Sequence, residues 1–365
     1  MRIAQVASLT ESVPPRLYGG SELIVSYLTE ELVRHDVTLF ASGDSVTAAE
    51  LAPCVPVALR LNRAVRDPIP YFMLMTGRVA ERASEFEIIH FHIDQFQMPL
   101  FRSMASRTVT TLHGRQDSSD MKALYAGFPE MPLVSISNAQ RAPIPHANIV
   151  ATVYHGLPLK LLRPTYHPRG GYLAFLGRIS PEKGIERAIA IARAFGIPLK
   201  IAAKVDKVDE AYFREKVAPL LNDSNVDFIG EIGERAKSDF LGEAQALLFP
   251  INWPEPFGLV MIEAMACGTP VLAFRNGSVP EIIEDNVTGR IVSSIDEAML
   301  ALPEVIALDR RTVRQHFEER FSATRMAKDY VNVYRKLLKQ STLADAPSLA
   351  PPLSLTNHTF FGDSA

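Results

Sequence analysis

Glu263 stands in the run Leu259-Val-Met-Ile-Glu-Ala-Met-Ala266, which has no other polar side chain. An ionised carboxylate there costs several kcal/mol (an order-of-magnitude figure) unless it is paired or hydrogen-bonded. Two partners fit: a ribose diol, whose hydroxyls would both donate to the acid, or an Arg or Lys from elsewhere in a buried ion pair. The diol is preferred because of the helix that carries the acid. A helix is predicted over Phe257–Cys267, stopped by Gly268 and Pro270. It is apolar almost all round and therefore buried, so its first backbone N–H groups open into a cavity as an anion site. Gly258 would let a phosphate approach Phe257, Gly258 and Leu259 closely, and Pro254 and Pro256 stiffen the loop in front.

The second block is Leu176-Gly-Arg-Ile-Ser-Pro-Glu-Lys-Gly184. Two cations on a glycine-bounded strand-to-helix loop suit a diphosphate, with Arg178 as a fork and Lys183 as a point charge. The alternative is a solvated basic loop with Glu182 as its internal partner; the neighbouring anion helix favours phosphate. Gly-Lys-Ser/Thr is absent, so this is no P-loop, and no G-x-G-x-x-G occurs. Lys204 ends a strand of the same half and is a further cation facing the cleft, while Glu231 ends the next and could line a base or ribose pocket.

In the first half, Tyr18-Gly19-Gly20-Ser21-Glu22 follows the first strand and opens a helix, with Ser21 as a cap candidate. His113 lies at the carboxyl end of another strand, where it could position a hydroxyl or shuttle a proton, or be a satisfied turn histidine. His90, His92 and Asp94 are too few for a convincing zinc site and read better as a polar edge beside the cleft.

These residues need elements to hold them. The chain has 365 residues, 47% hydrophobic and 22% charged, so two globular domains are expected. A net charge of -3 argues against a nucleic-acid protein, and two cysteines, Cys54 and Cys267, give no disulfide framework and suit a reducing cytosol. Met1–Ala7 is too short for a signal peptide and reads as a strand; no apolar run is long enough for a membrane span.

Strand candidates in the first half are 3–7, 37–41, 88–92, 108–112, 134–137 and 150–154. In the second half they are 172–176, 199–203, 226–229, 246–249, 271–274 and 290–292. Helix candidates such as 22–34 and 185–195 alternate with them, which implies an α/β protein with parallel sheets. The Pro- and Gly-rich stretch 157–171 separates a first domain, 1–160, from a second, 165–322. A helix over 323–340 is expected to pack back on the first domain, and 341–365 to form a flexible tail.

Taken together, the residues resemble the family-4 (group 1) retaining glycosyltransferases of the GT-B fold, two doubly wound Rossmann-like domains facing across a cleft. The resemblance covers nearly all of 1–339 and rests on E-x7-E (Glu255 to Glu263), GRISPEKG, YGGSE, TLHG and VSIS. It implies that Glu263 holds the ribose of a nucleotide-diphosphate sugar and Glu255 the sugar hydroxyls. Arg178, Lys183 and the amides of Phe257, Gly258 and Leu259 would hold the diphosphate. Gly19 and Gly20 match the glycine loop and His113 the histidine near the reacting sugar.

The implied reaction is transfer of a hexose with retention, without a metal or other cofactor, to a carbohydrate, lipid-linked or small-molecule acceptor. UDP-glucose is the favoured donor type, and glycan or cell-envelope polysaccharide synthesis the implied setting. A nucleotide-sugar epimerase, a phosphorylase or a non-catalytic nucleotide-sugar-binding module are the alternatives. A cytoplasmic location is expected. A peripheral contact with the inner membrane face is the second reading of Arg60, Arg63, Arg66, Arg78 and Arg82, after a solvated helix face. Two stretches depart from the family: Arg34-His35-Asp36-Val37 is shortened, and Tyr154-His155-Gly156-Leu157-Pro158 replaces Pro-Asn-Gly-Val-Asp.

Overall fold

The computed structural model describes residues 1–16 and 19–344. Its first sheet is parallel throughout and contains β1 (Arg2–Val6), β2 (Asp36–Ser42), β3 (Glu50–Val55), β4 (Ile88–Phe91), β5 (Thr108–Thr111), β6 (Leu133–Ser135) and β7 (Ile149–Thr152). The second, also parallel, contains β8 (Leu173–Arg178), β9 (Leu199–Lys204), β10 (Val226–Gly230), β11 (Ala246–Phe249), β12 (Val271–Phe274) and β13 (Gly289–Val292). The spatial orders are β3-β2-β1-β4-β5-β6-β7 and β10-β9-β8-β11-β12-β13. Each order reverses direction once, between β1 and β4 and between β8 and β11. Ligands of open parallel sheets bind outside the carboxyl ends of the strands at such a point.

The central strands are buried on both faces, as β4, β11 and β12 show by having every residue buried. Twelve of the thirteen strands among the described residues coincide with apolar runs in the sequence. β3 is the exception, in a stretch that reads as loop. It is an edge strand containing Pro53 and only one fully buried residue, so it lacks the apolar signature of its neighbours.

The last helix, Ala323–Ala344, crosses from the second sheet to the first and packs there. Tyr330 and Tyr334 are fully buried, with Tyr334 against Gln5 of β1 and His90 of β4. The helix takes in the first four residues of the expected tail. Residues 345–365 and Tyr18 of the glycine loop lie outside the described residues.

The shortened turn after the helix Gly20–Leu32 is well formed: His35 N–H donates to Leu32 (2.8 Å) and Asp36 N–H to Met1 (3.1 Å). Gly19, not Ser21, is the N-cap of that helix. No helix among the described residues is long and apolar enough to cross a membrane.

The two domains join where Leu157 N–H donates to Phe321 (2.9 Å) and Ala323 N–H to Leu157 (2.8 Å). Gly156 makes this crossing possible, because a Cβ there would lie 2.3 Å from the Ser322 carbonyl oxygen. Backbone cannot yield as a flexible side chain does. Gly156→Ala is therefore expected to destabilise the protein by about 2 kcal/mol or more, read as a lower urea midpoint; an unchanged midpoint would show that the crossing relaxes freely.

Candidate functional site

A cleft with a volume of about 730 Å³ opens between the carboxyl ends of the two sheets. Gly19, Gly20 and His113 line it from the first domain. Arg178, Lys183, Lys204 and Glu231 line it from β8, β9 and β10 or the loops after them. Glu255, Phe257, Gly258, Leu259 and Glu263 form its floor after β11. The twelve residues expected to bind the donor or act on it thus reach one cavity.

The floor is built by the helix Leu259–Ala266. Gly258 is its N-cap and sits in the left-handed region (φ 79°), which leaves Phe257, where the sequence placed the helix start, in the preceding loop, two residues ahead of the helix. The amides of Gly258, Leu259 and Val260 have no acceptor within the helix, as at every helix start. Gly20 lets the opposite helix approach this start: a Cβ on it would lie 3.3 Å from Leu259 Cδ1. Ser137 Oγ donates to the Pro256 carbonyl (2.6 Å), and Ser278 Oγ to that of Phe257 (2.9 Å), so both domains fix the loop.

Glu263 takes the less favoured of its two expected partners, a lysine. Lys237 Nζ lies 2.7 Å from Glu263 Oε1, so the carboxylate is already paired. Lys237 also pairs with Glu234. Burial alone would lower the pKa of the Lys237 ammonium; Glu263 and Glu234 outweigh it, and the net direction is up. The long apolar stem of a lysine lets its charged head reach into such a floor. Nothing in the polar stretch around Lys237 signalled this role in the sequence. Glu263 Oε2 makes no hydrogen bond among the described residues and remains an acceptor at the cleft.

The cations are held by acids rather than solvated. Arg178 pairs with Glu182 (2.6 Å) and lies 3.9 Å from Asp206 and 3.7 Å from Asp209. Lys204 pairs with Asp206 at 3.0 Å. Lys183 Nζ lies 2.5 Å from Glu255 Oε2, which also accepts from Trp253 Nε1 at 2.8 Å. Two cations lie over Trp253, Lys183 at 4.6 Å and the Arg115 guanidinium at 5.3 Å from its ring centre. The single tryptophan inside the Asn252–Pro256 loop is the one sequence signal for this contact.

The histidines form a cluster that the sequence did not anticipate. His90 is fully buried instead of lying on a polar edge; its ring bonds to Tyr334 and Thr111, both at 2.7 Å. His92 Nδ1 lies 2.9 Å from His113 Nε2, and His92 Nε2 lies 2.9 Å from Gln5 Oε1. His155 stacks on His113 with ring centres 5.5 Å apart and packs on Phe257 at 4.8 Å. Burial pushes the His113 imidazolium down to about 4 and holds those of His90, His92 and His155 well below the usual range. Tyr154, also from the divergent stretch, donates to Glu281 across the domain boundary (2.9 Å). Glu281 in turn accepts from the amides of Asn138 and Ala139, both at 2.7 Å. Among the described residues no three His, Cys, Asp or Glu side chains are grouped to hold a metal ion.

This geometry agrees with the comparisons. Residues 167–319 match the family model for group 1 glycosyl transferases. The putative glycosyltransferase YtcC of Bacillus subtilis is 25% identical, over 96% of this chain and 95% of its own. AviGT4, a glycosyltransferase involved in avilamycin A biosynthesis, superposes with a TM-score of 0.69 at 24% identity, over 93% of this chain and 98% of its own. Anabaena Alr3699/HepE, solved with UDP and glucose, does so with a TM-score of 0.68 at 17% identity, over 92% and 99%. The second domain is thus similar to group 1 glycosyl transferases, and the whole chain has the GT-B fold of the solved glycosyltransferases.

The neutral histidines give a pH signature. Their folded pKa values lie below the unfolded value, so the unfolded chain takes up protons first as pH falls, and stability drops between about 6.5 and about 4. The melting temperature is expected to fall by several degrees from about pH 7 to about pH 5, in a thermal melt without ligand. A flat profile over that window would mean that the cluster is solvated.

Proposed function

We propose that the chain transfers a hexose, with retention, from a nucleotide-diphosphate sugar of the UDP-glucose type to a hydroxyl of a carbohydrate, lipid-linked or small-molecule acceptor. The observation that carries this is the convergence of Arg178, Lys183 and the helix start at Gly258–Leu259 on one cleft beside Glu263. A diphosphate seated there meets two cations and a helix dipole, in a place where protein groups replace water. HepE, which binds UDP and glucose, shares this fold.

On this reading the ribose hydroxyls bond Glu263 Oε2, while Lys237 stays paired with Oε1. Glu255 uses Oε2 to hold Lys183 and Trp253, which leaves Oε1 for hydroxyls of the sugar. The acceptor hydroxyl attacks the anomeric carbon from the face that the nucleotide leaves, and the departing diphosphate takes its proton. Arg178, Lys183 and the helix amides stabilise the charge that grows on the leaving group. The acids around Arg178 prearrange its guanidinium at the end of β8, so little reorganisation is needed when the diphosphate arrives.

Thermal shift against UDP-, GDP- and ADP-glucose identifies the base, since only a bound donor raises the melting temperature. With that donor, Arg178→Ala is expected to lower kcat on the order of 100-fold; unchanged turnover would remove Arg178 from the reaction. The diphosphate charge is met by protein cations, so transfer is expected to survive EDTA. Activity lost on chelation and restored by Mg²⁺ or Mn²⁺ would overturn that part.

A further inference from the structure

The cluster behind His113 has a direction. Gln5 Oε1 can only accept, so His92 Nε2, at 2.9 Å, carries the proton of that bond. A neutral imidazole has one N–H, which makes His92 Nδ1 a bare acceptor. His113 Nε2, 2.9 Å away, must then be the donor. Its own ring being neutral, His113 is left with an unprotonated Nδ1.

That nitrogen is buried and has no hydrogen-bond partner among the described residues, although His113 lines the cleft. The chain behind is continuous in the same sense. Gln5 Nε2 donates to Tyr334 Oη (3.1 Å), which lies 2.7 Å from His90 Nδ1, and His90 Nε2 lies 2.7 Å from Thr111 Oγ1. His155, only 4% exposed and stacked on His113, also lines the cleft and also has an unpartnered Nδ1. Two stacked histidines of the cavity wall thus each carry a buried, unsatisfied ring nitrogen. A buried polar atom without a partner is costly, and a ligand is one way to supply it.

We propose that His92, held by Gln5 and through it by Tyr334, is a positioning residue that locks His113 as its Nε2–H tautomer. This leaves Nδ1 as the acceptor that a hydroxyl of the bound sugar completes. The sugar part rests on the transferase reading above; the tautomer does not. The opposite polarity would need Gln5 to donate to His92 and would leave a buried, unpaired N–H on His113, the less tolerated kind of orphan. The device also ties the site to the final helix, since Tyr334 reaches Gln5 from there.

The test uses the full chain labelled with ¹⁵N-histidine, together with two variants. In His92→Asn the amide oxygen falls close to the place of Nδ1 and still accepts from His113; in His92→Leu nothing accepts. Imidazole ¹⁵N shifts are expected to report His113 as Nε2–H in the parent and in His92→Asn, and a mixture of tautomers in His92→Leu. With the donor found by thermal shift, kcat is expected to fall on the order of tenfold in His92→Leu with little change in the donor KM, and to recover largely in His92→Asn.

His113 found as Nδ1–H or doubly protonated near pH 7 in the parent overturns the proposal, as does a His92→Leu enzyme with parental kcat. If His92→Leu does not fold, the parent and His92→Asn spectra still decide. Nε2–H at His113 in a protein that turns over no nucleotide sugar would sink the transferase reading and leave the relay standing.

Discussion

The start of the helix Leu259–Ala266 is a set of backbone donors with no acceptor of their own, placed at the bottom of a cleft. A helix that is apolar on every side cannot turn that end to bulk water without exposing itself, so the surroundings must supply the balance. Much of the cleft can be understood as a response. Cations gather above the helix start, acids gather behind the cations, and both domains contribute hydroxyls to hold the loop before it.

The charge pattern is nested. Arg178 and Lys183 are the groups that would meet a polyanion, yet each is already bonded to carboxylates. Such pairing contributes little net stability in partly exposed positions, where screening cancels most of the Coulomb gain. Its consequence is geometric: long side chains that would sample many rotamers are fixed in one. The Lys237–Glu263 pair obeys a different balance because it is nearly buried. There, removing one partner would strand the other charge in a poor solvent.

The first domain adds neutral histidines to the charged groups of the cleft. Its wall of the cleft carries His113 and His155, both kept uncharged by burial. Behind them a hydrogen-bonded chain runs through β1 and β4 to the helix that returns from the far domain. A charge-paired floor and two neutral histidines thus face the same cleft from different domains. The return of the final helix across Gly156 therefore completes the site's support as well as closing the fold.

The sequence by itself determined the two parallel sheets, because strands covered on both faces must be written as apolar runs, and it determined which residues end those strands at the cleft. It also marked Glu263 as anomalous, since a carboxylate in an apolar octet is visible without coordinates. Local patterns of that kind missed β3, whose edge position and proline erase the signature. They placed the helix start two residues early, because the left-handed turn at Gly258 is a backbone choice made by its surroundings. Only the tertiary structure decided the partners. Lys237 for Glu263, Glu255 for Lys183 and Gln5 for His92 are separated along the chain by 26, 72 and 87 residues. No periodicity records such pairings; they arise when two sheets and a returning helix are packed, and the charge or proton on each group is settled by what it then faces.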